Sequence, residues 1–232
     1  MAKTKKNTPE CVGIIMDGNR RWAKSHHVPT ARGHAQGYET LKQAVRWAKH
    51  EHVGTLVVYA FSTENWKRSK LEVGLLMELF SRALTEIGKD AREEDVRVSF
   101  IGDRAQFSKT MQAKMGAVEQ ETRSNSSLHL ALAMSYGGRA EITHAVNTIL
   151  ASGKKRASED DVAKGLWSAE AGIPDPDLII RTGGEMRLSN FLLWQAAYSE
   201  FFFTETLWPD FSEQEFSKIL REYANRERRR GK

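Results

Sequence analysis

The chain has 232 residues, of which 40% are aliphatic, aromatic or sulfur-bearing and 28% are charged, a balance that suits one soluble globular domain and excludes a disordered chain. No apolar run approaches the ~18–20 residues of a membrane span, the Lys-rich start lacks the apolar stretch of a secretory signal, and the lone Cys11 excludes an internal disulfide or a cysteine-based metal cluster, which fits a reducing cytosol. The net charge of +5 belongs to the ends: residues 1–6 carry +3 and residues 226–232 carry +4, so the body is at −2 and offers no basic face for nucleic acid.

In chain order, a basic flexible tail over residues 1–11 precedes a strand at Val12–Met16. A helix over Leu41–His50 puts Leu41, Ala44, Val45 and Ala48 on one face. A strand at Thr55–Phe61 is followed by a helix over Leu71–Ile87 that repeats the pattern with Leu75, Leu76, Leu79, Phe80 and Leu84. A strand at Val96–Ile101, a helix over Phe107–Thr122 capped by Ser108, and a strand at Leu128–Met134 come next. Helices over Ala140–Leu150 and Val162–Ala169, strands at Asp177–Arg181 and Phe201–Thr204, and a helix over Phe211–Arg226 complete the domain, read as residues 12–225. Residues 226–232 form a second basic tail. Ser158 and Ser212 stand three residues before Asp161 and Glu215, the spacing of a capping box. Strand alternating with helix predicts a single α/β domain with a mostly parallel sheet of about six strands, covered on both faces.

The polar residues that break this pattern cluster at strand ends. Asp17-Gly-Asn-Arg-Arg21 follows the first strand, Ser62-Thr-Glu-Asn-Trp66 the second, Gly102-Asp103 the third, Tyr136-Gly-Gly-Arg139 the fourth and Arg181-Thr-Gly-Gly-Glu185 the fifth. Ligands of open parallel sheets bind beyond the carboxyl ends of the strands, so these five segments predict one composite site. The chain has no nucleotide-triphosphate loop, no dinucleotide glycine motif, no nucleophile elbow and no His-Glu-x-x-His pair. What remains is a carboxylate among backbone amides and arginines. Asp17 suits Mg²⁺, which pairs one or two carboxylates with phosphate oxygens. The turn after it, with Arg21, and the double glycine flanked by Arg181, Arg187 and Ser189 suit two diphosphates. Phe61–Arg68 reads as a mobile lid over a ligand with one polar and one apolar end. Two phosphate cradles and an apolar sheet interior predict a substrate with an anionic head and a greasy tail.

These same segments resemble the cis-prenyltransferases. The resemblance is carried by Ile15-Met-Asp-Gly-Asn-Arg-Arg-Trp-Ala-Lys24, Gly33-His34 with Gly37, Tyr59-Ala-Phe-Ser-Thr-Glu-Asn-Trp66, Tyr136-Gly-Gly-Arg139, Ile180-Arg-Thr-Gly-Gly-Glu185, Ser189-Asn-Phe-Leu-Leu-Trp-Gln195, Leu207-Trp-Pro-Asp-Phe211 and Asn225-Arg-Glu-Arg-Arg229, in order along nearly the whole chain. It implies extension of farnesyl diphosphate by successive isopentenyl diphosphate units in cis geometry, with Mg²⁺, in a homodimer that touches the membrane peripherally. It assigns Asp17 to magnesium and catalysis, and it gives Asn65 a role in the proton step with a leaving diphosphate as the alternative base. Gly18, Asn19, Arg20, Arg21, Trp22 and His34 fall to the allylic diphosphate, and Arg181, Arg187, Leu188 and Ser189 to isopentenyl diphosphate. Ser62, Thr63, Glu64, Trp66 and Arg68 form the closing loop, and Glu200 reaches magnesium from the partner subunit. Thr30 stands where the family often has arginine. The resemblance also implies an apolar tunnel with Ala60 near its mouth and Val53, Val96 and Leu128 near its floor. An undecaprenyl product is the expectation, lengthened by Leu128→Ala and shortened by Ala60→Leu.

Overall fold

A computed structural model describes residues 8–226. β1 (Cys11–Ile15) leads through α1 (Asn19–Ser25) and α2 (Thr30–His50) to β2 (Thr55–Ser62). A 3-10 turn over Thr63–Lys67 and α3 (Lys70–Glu93) precede β3 (Val96–Ile101), α4 (Lys109–Thr122) and β4 (Leu128–Tyr136). Then come α5 (Gly138–Ala151), α6 (Glu159–Lys164), α7 (Trp167–Glu170), β5 (Leu178–Arg181), β6 (Glu200–Phe203) and α8 (Glu213–Asn225). All six strands lie in one sheet of order β3-β4-β2-β1-β5-β6, and every pairing is parallel. The chain leaves β1 toward β2 on one side and adds β5 on the other, so β1 and β5 flank the switch point where such sheets bind ligands.

Side-chain alternation explains the apolar runs. Val12, Ile14, Leu56, Val58, Leu130 and Leu132 face a core shared with Leu41, Trp47, Leu76, Leu84 and Phe216. Their neighbours Ile15, Val57, Ala131 and Ala133 face a second core closed by Phe191 and Leu192. Packed side chains cover both faces, and buried apolar area is worth about 25 cal/mol per Å². Ser108, Ser158 and Ser212 each accept an amide of the first turn of the helix they precede. Ser158 and Asp161 close a full capping box. Glu215 does not, because its carboxylate takes the Thr204 hydroxyl at 2.5 Å.

Among the boundaries that differ from the sequence reading, four have a reason in the packing. α2 starts at Thr30, eleven residues early, because glycines replace its apolar stripe there. A Cβ on Gly33 would stand 2.1 Å from the Asn19 carbonyl oxygen, and one on Gly37 2.2 Å from Asn19 Oδ1, so the glycines let α1 lie directly on α2. Gly165, packed on Ala145, splits the segment read as Val162–Ala169 into α6 and α7. Cys11 opens β1 instead of ending a tail, since the Glu10 and Cys11 amides donate to Asp177 Oδ2 at 2.7 and 3.2 Å. Arg226 lies 4.0 Å over the Phe202 ring and pairs with Glu200, so it belongs to the fold. The rest of the two basic tails, residues 1–7 and 227–232, lies outside the described residues. Among the described residues no helix is long and apolar enough to cross a membrane.

Candidate active site

The site begins where β1 stops. Gly18 turns the chain at φ 116°, a left-handed value that favours glycine, and α1 starts without a side-chain cap. The Asp17 backbone is fixed from the far end of the sequence: its carbonyl accepts the Thr182 hydroxyl at 2.7 Å and the Trp208 amide at 2.9 Å. Its carboxylate meets two arginines. Arg181 Nη2 donates to Oδ2 at 2.8 Å, and Arg21 Nη2 stands 3.2 Å from Oδ1. The Arg181 side chain is 4% exposed against 31% for Asp17, so a buried cation leans on an acid that reaches the surface. Arg181 Nη1 also donates to the Arg187 carbonyl at 2.5 Å and to Ser189 Oγ at 2.7 Å, which aims the Ser189 loop at the same point.

The double glycine is not the amide cradle that its sequence promises. Gly183 and Gly184 adopt φ 85° and 77°, but their amides donate to the Thr206 and Thr204 carbonyls at 2.8 and 2.7 Å. The cradle is instead made of side chains, with Arg21 Nη1 buttressed on the Gly183 carbonyl at 2.6 Å.

A second cationic group lies across the mouth and was missed as a unit. Glu72, on α3, holds Arg68 at 3.0 Å and stands 3.9 Å from both Arg20 Nε and His34 Nε2. Burial, with Arg68 and Arg20 beside it, pushes His34 below the usual histidine range against the pull of Glu72, so its imidazole is neutral at physiological pH. The only sequence signal for Glu72 is its i+4 spacing from Arg68.

The segment read as a lid is a capped 3-10 turn. The Ser62 amide donates to Asn65 Oδ1 at 3.1 Å, and the Ser62 and Asn65 side chains complete a capping box. Trp66 Nε1 donates to Ser135 Oγ at 2.9 Å while its ring packs on Phe61 and Phe107. Asn65, the residue that the resemblance links to the proton step, thus accepts from the Ser62 amide through Oδ1 at the mouth of the cavity. Glu64 takes a hydrogen bond from Asn190 Nδ2 at 3.0 Å. Burial works against its ionisation, but hydrogen bonds from its own backbone amide, Asn190, Ser62 and Thr63 hold its carboxyl below the usual range.

All this surrounds one cavity of about 740 Å³. Asp17, Asn19, His34, Ser62, Glu64, Asn65, Arg68, Arg181 and Ser189 line its mouth, and Leu76, Phe80, Leu84, Ile87 and Leu132 its depth. Arg139 and Asn190 also line it and were missed as site residues, although both sit in motifs legible in the sequence. Three of four buried polar side-chain atoms without a hydrogen-bond partner among the described residues belong to its lining: Asn19 Oδ1, His34 Nε2 and Arg181 Nε. Such atoms cost free energy unless a ligand satisfies them. Gly18, Arg20, Arg21, Thr63, Trp66 and Leu188 are not among the residues that line the cavity. Trp22 turns away, donating to Asp210 Oδ1 at 2.7 Å and stacking on His26. The Arg187 side chain is taken by Glu185. Val53 and Leu128 are 1% exposed and sit in the packed core outside the cavity, whereas Ala60 lines it.

Magnesium fits this donor set through one carboxylate, since Mg²⁺ keeps waters and takes most remaining ligands from phosphate. Glu200 does not complete the set within the chain. It pairs with Leu178 at the amino end of β5, while Asp17 follows the carboxyl end of β1, and among the described residues no group of three acidic, histidine or cysteine side chains is placed to hold a metal ion.

A parallel sheet whose switch point carries an acid and arginines, above an apolar cavity, suits a ligand with an anionic head and an apolar tail. The family model Prenyltransf, described as "Putative undecaprenyl diphosphate synthase", matches residues 15–231, and the chain belongs to that family of prenyltransferases. It is 45% identical to the isoprenyl transferase of Fusobacterium nucleatum, over 97% of both chains. It is 44% identical to that of Thermotoga maritima, over 96% of this chain and 97% of the relative. Among solved structures it is similar to lavandulyl diphosphate synthase from Lavandula x intermedia in complex with dimethylallyl diphosphate, with TM-score 0.93 and 36% identity over 98% of this chain and 100% of that one. It is also similar to a probable undecaprenyl diphosphate synthase from Campylobacter jejuni, with TM-score 0.82 and 34% identity over 97% and 99%.

Proposed function

We propose that the protein condenses farnesyl diphosphate with successive isopentenyl diphosphate units in cis geometry and releases undecaprenyl diphosphate, the precursor of the lipid carrier for cell-wall polysaccharide. The observation that carries this reading is a cavity that is charged and under-satisfied at its mouth and hydrocarbon-lined at depth. The charged mouth suits diphosphate heads, and each methylene buried in the depth is worth about 0.8 kcal/mol. Breaking the allylic C–O bond leaves a delocalised cation and a diphosphate anion. Arg21, Arg68 and Arg181 stabilise the charge that develops on the leaving oxygens. Mg²⁺, held by Asp17 and phosphate oxygens, supplies further charge neutralisation when bound. The isopentenyl double bond then forms the new C–C bond and loses a proton. With Asn65 Oδ1 engaged by Ser62, the departing diphosphate is the better base.

The active form in this reading is a homodimer in which Glu200 of the partner subunit approaches the mouth. Support comes from β6, an edge strand whose stacked Phe201 and Phe203 stay half-buried in one chain. The enzyme works in the cytoplasm and delivers its product to the membrane by peripheral contact. A cis-polyprenyl diphosphate of another length is the alternative product. The test is incubation with farnesyl diphosphate and radiolabelled isopentenyl diphosphate, with and without chelator, and separation of products by chain length. An undecaprenyl product formed only with Mg²⁺ is expected. Absence of multiple additions sinks the elongation reading.

A further inference from the structure

The cavity has a neighbour beyond its apolar end, and the two share lining residues. A second void of about 50 Å³ lies behind it, lined by Val45, Ala91, Val96 and Leu130 among others. Tyr38, Leu41 and Ile87 are the residues that line both spaces, so they form the partition. Strand β4 measures its position. Met134 and Leu132 line the large cavity, Leu130 lines only the small void, and Leu128, on the same face of the strand, lines neither. Same-face residues are two positions, roughly 7 Å, apart along a strand. The partition therefore stands one same-face step beyond Leu132. α2 and α3 meet at this level, where the Tyr38 hydroxyl approaches the Ala83 carbonyl at 3.5 Å. Of the three, Ile87 is the aliphatic side chain that α3 contributes, four residues past Ala83 on the face that lines the cavity.

We infer that Ile87 is a chain-length gate: the growing hydrocarbon passes from the main cavity into the void beyond only by displacing this side chain, so the bulk at position 87 helps set product length. The inference rests on the elongation reading. Beyond the gate the void is rimmed by charged side chains, Lys42, Arg46, Asp90 and Glu94, with Arg46 Nε 3.6 Å from Glu94. A tail that clears Ile87 thus has little further apolar length to fill, which makes the gate a decisive point in its path.

The experiment compares product lengths of the wild type, Ile87→Trp and Ile87→Ala with farnesyl diphosphate and labelled isopentenyl diphosphate, with thermal denaturation to confirm folding. Ile87→Trp should shorten the dominant product by at least one five-carbon unit, and Ile87→Ala should shift the distribution longer. A folded, active Ile87→Trp enzyme with the wild-type distribution overturns the gate while leaving elongation intact. If tryptophan prevents folding, an unchanged distribution in Ile87→Ala overturns it instead. A wild type that adds no more than one unit overturns the elongation reading and the gate with it.

Discussion

At the mouth of the cavity Asp17 and Arg181 come from strand ends 164 residues apart in sequence and hold one another by charge. At the deep end Leu84 and Ile87 come from a single helix, meet Leu132 of a single strand, and hold by packing alone. The difference teaches where each kind of damage falls. A buried cation that loses its anion keeps its full desolvation cost, so a change at the mouth is both chemical and structural. A change of aliphatic volume at depth alters a shape and leaves every hydrogen bond in place.

The largest effect that breaks this comparison is expected from Asp17→Asn. Turnover should fall by about 10²–10³-fold or more. Unlike an ordinary surface acid, Asp17 should also cost stability on removal, on the order of 1–3 kcal/mol, because the 4%-exposed Arg181 loses its charged partner. Steady-state kinetics and urea unfolding check both parts, and an Asn variant within tenfold of wild-type turnover refutes the assignment. Next comes Ala60→Leu, at the neck between mouth and depth. It should shorten products while changing the rate of the first addition by less than about tenfold, one 1.4 kcal/mol step. Products of unchanged length would mean that the tail takes another path.

A smaller effect sharpens the mouth itself. Glu72→Gln frees Arg20, Arg68 and His34 from their shared acid. The Michaelis constant for the allylic substrate should rise by about fivefold, ~1 kcal/mol, with kcat near that of the wild type. The smallest effect is a control remote from both ends. His129 bonds Ser99 at 2.8 Å, and burial, helped by Arg97, pulls its pKa from 6.5 to about 4. Between those values the unfolded chain binds the extra proton and the folded one does not, so stability is present above pH 6.5 and falls as pH drops toward 4. In His129→Asn the melting temperature should fall less steeply across that window, and an unaltered slope would exclude His129 as a source of acid sensitivity.

The strands were legible because burial on both faces writes them as uninterrupted apolar runs, and the site was legible because its residues follow those runs. The first half of α2 was not, since Gly33 and Gly37 serve contact with Asn19 and leave no apolar period to read. Glu72 was missed because an acid on an amphipathic helix looks like solvated surface until Arg20, Arg68 and His34 are placed around it. Gly183-Gly184 misled for the opposite reason: glycine reports a left-handed backbone, and whether the amide then faces a ligand or a neighbouring carbonyl depends on the Thr204–Thr206 segment across from it. Trp22 and the Arg187 side chain carry the family motif yet spend their polar groups on Asp210 and Glu185. Val53 and Leu128 could not be told from ordinary core by hydrophobicity alone.

The 164-residue span between Asp17 and Arg181 also sets when the protein becomes an enzyme during its synthesis. At about 5–20 residues per second a ribosome needs roughly 8–33 s to travel from one to the other. Throughout that interval β1 has β2 as its one possible neighbour, with its other edge unpaired until β5 emerges. The Trp208 amide that fixes the Asp17 carbonyl arrives later still. A nascent chain can thus assemble the helix-and-sheet half that lines the hydrocarbon pocket well before it owns a working phosphate site. Premature termination anywhere upstream of β5 leaves an apolar sheet edge open to aggregation and no catalyst to show for it.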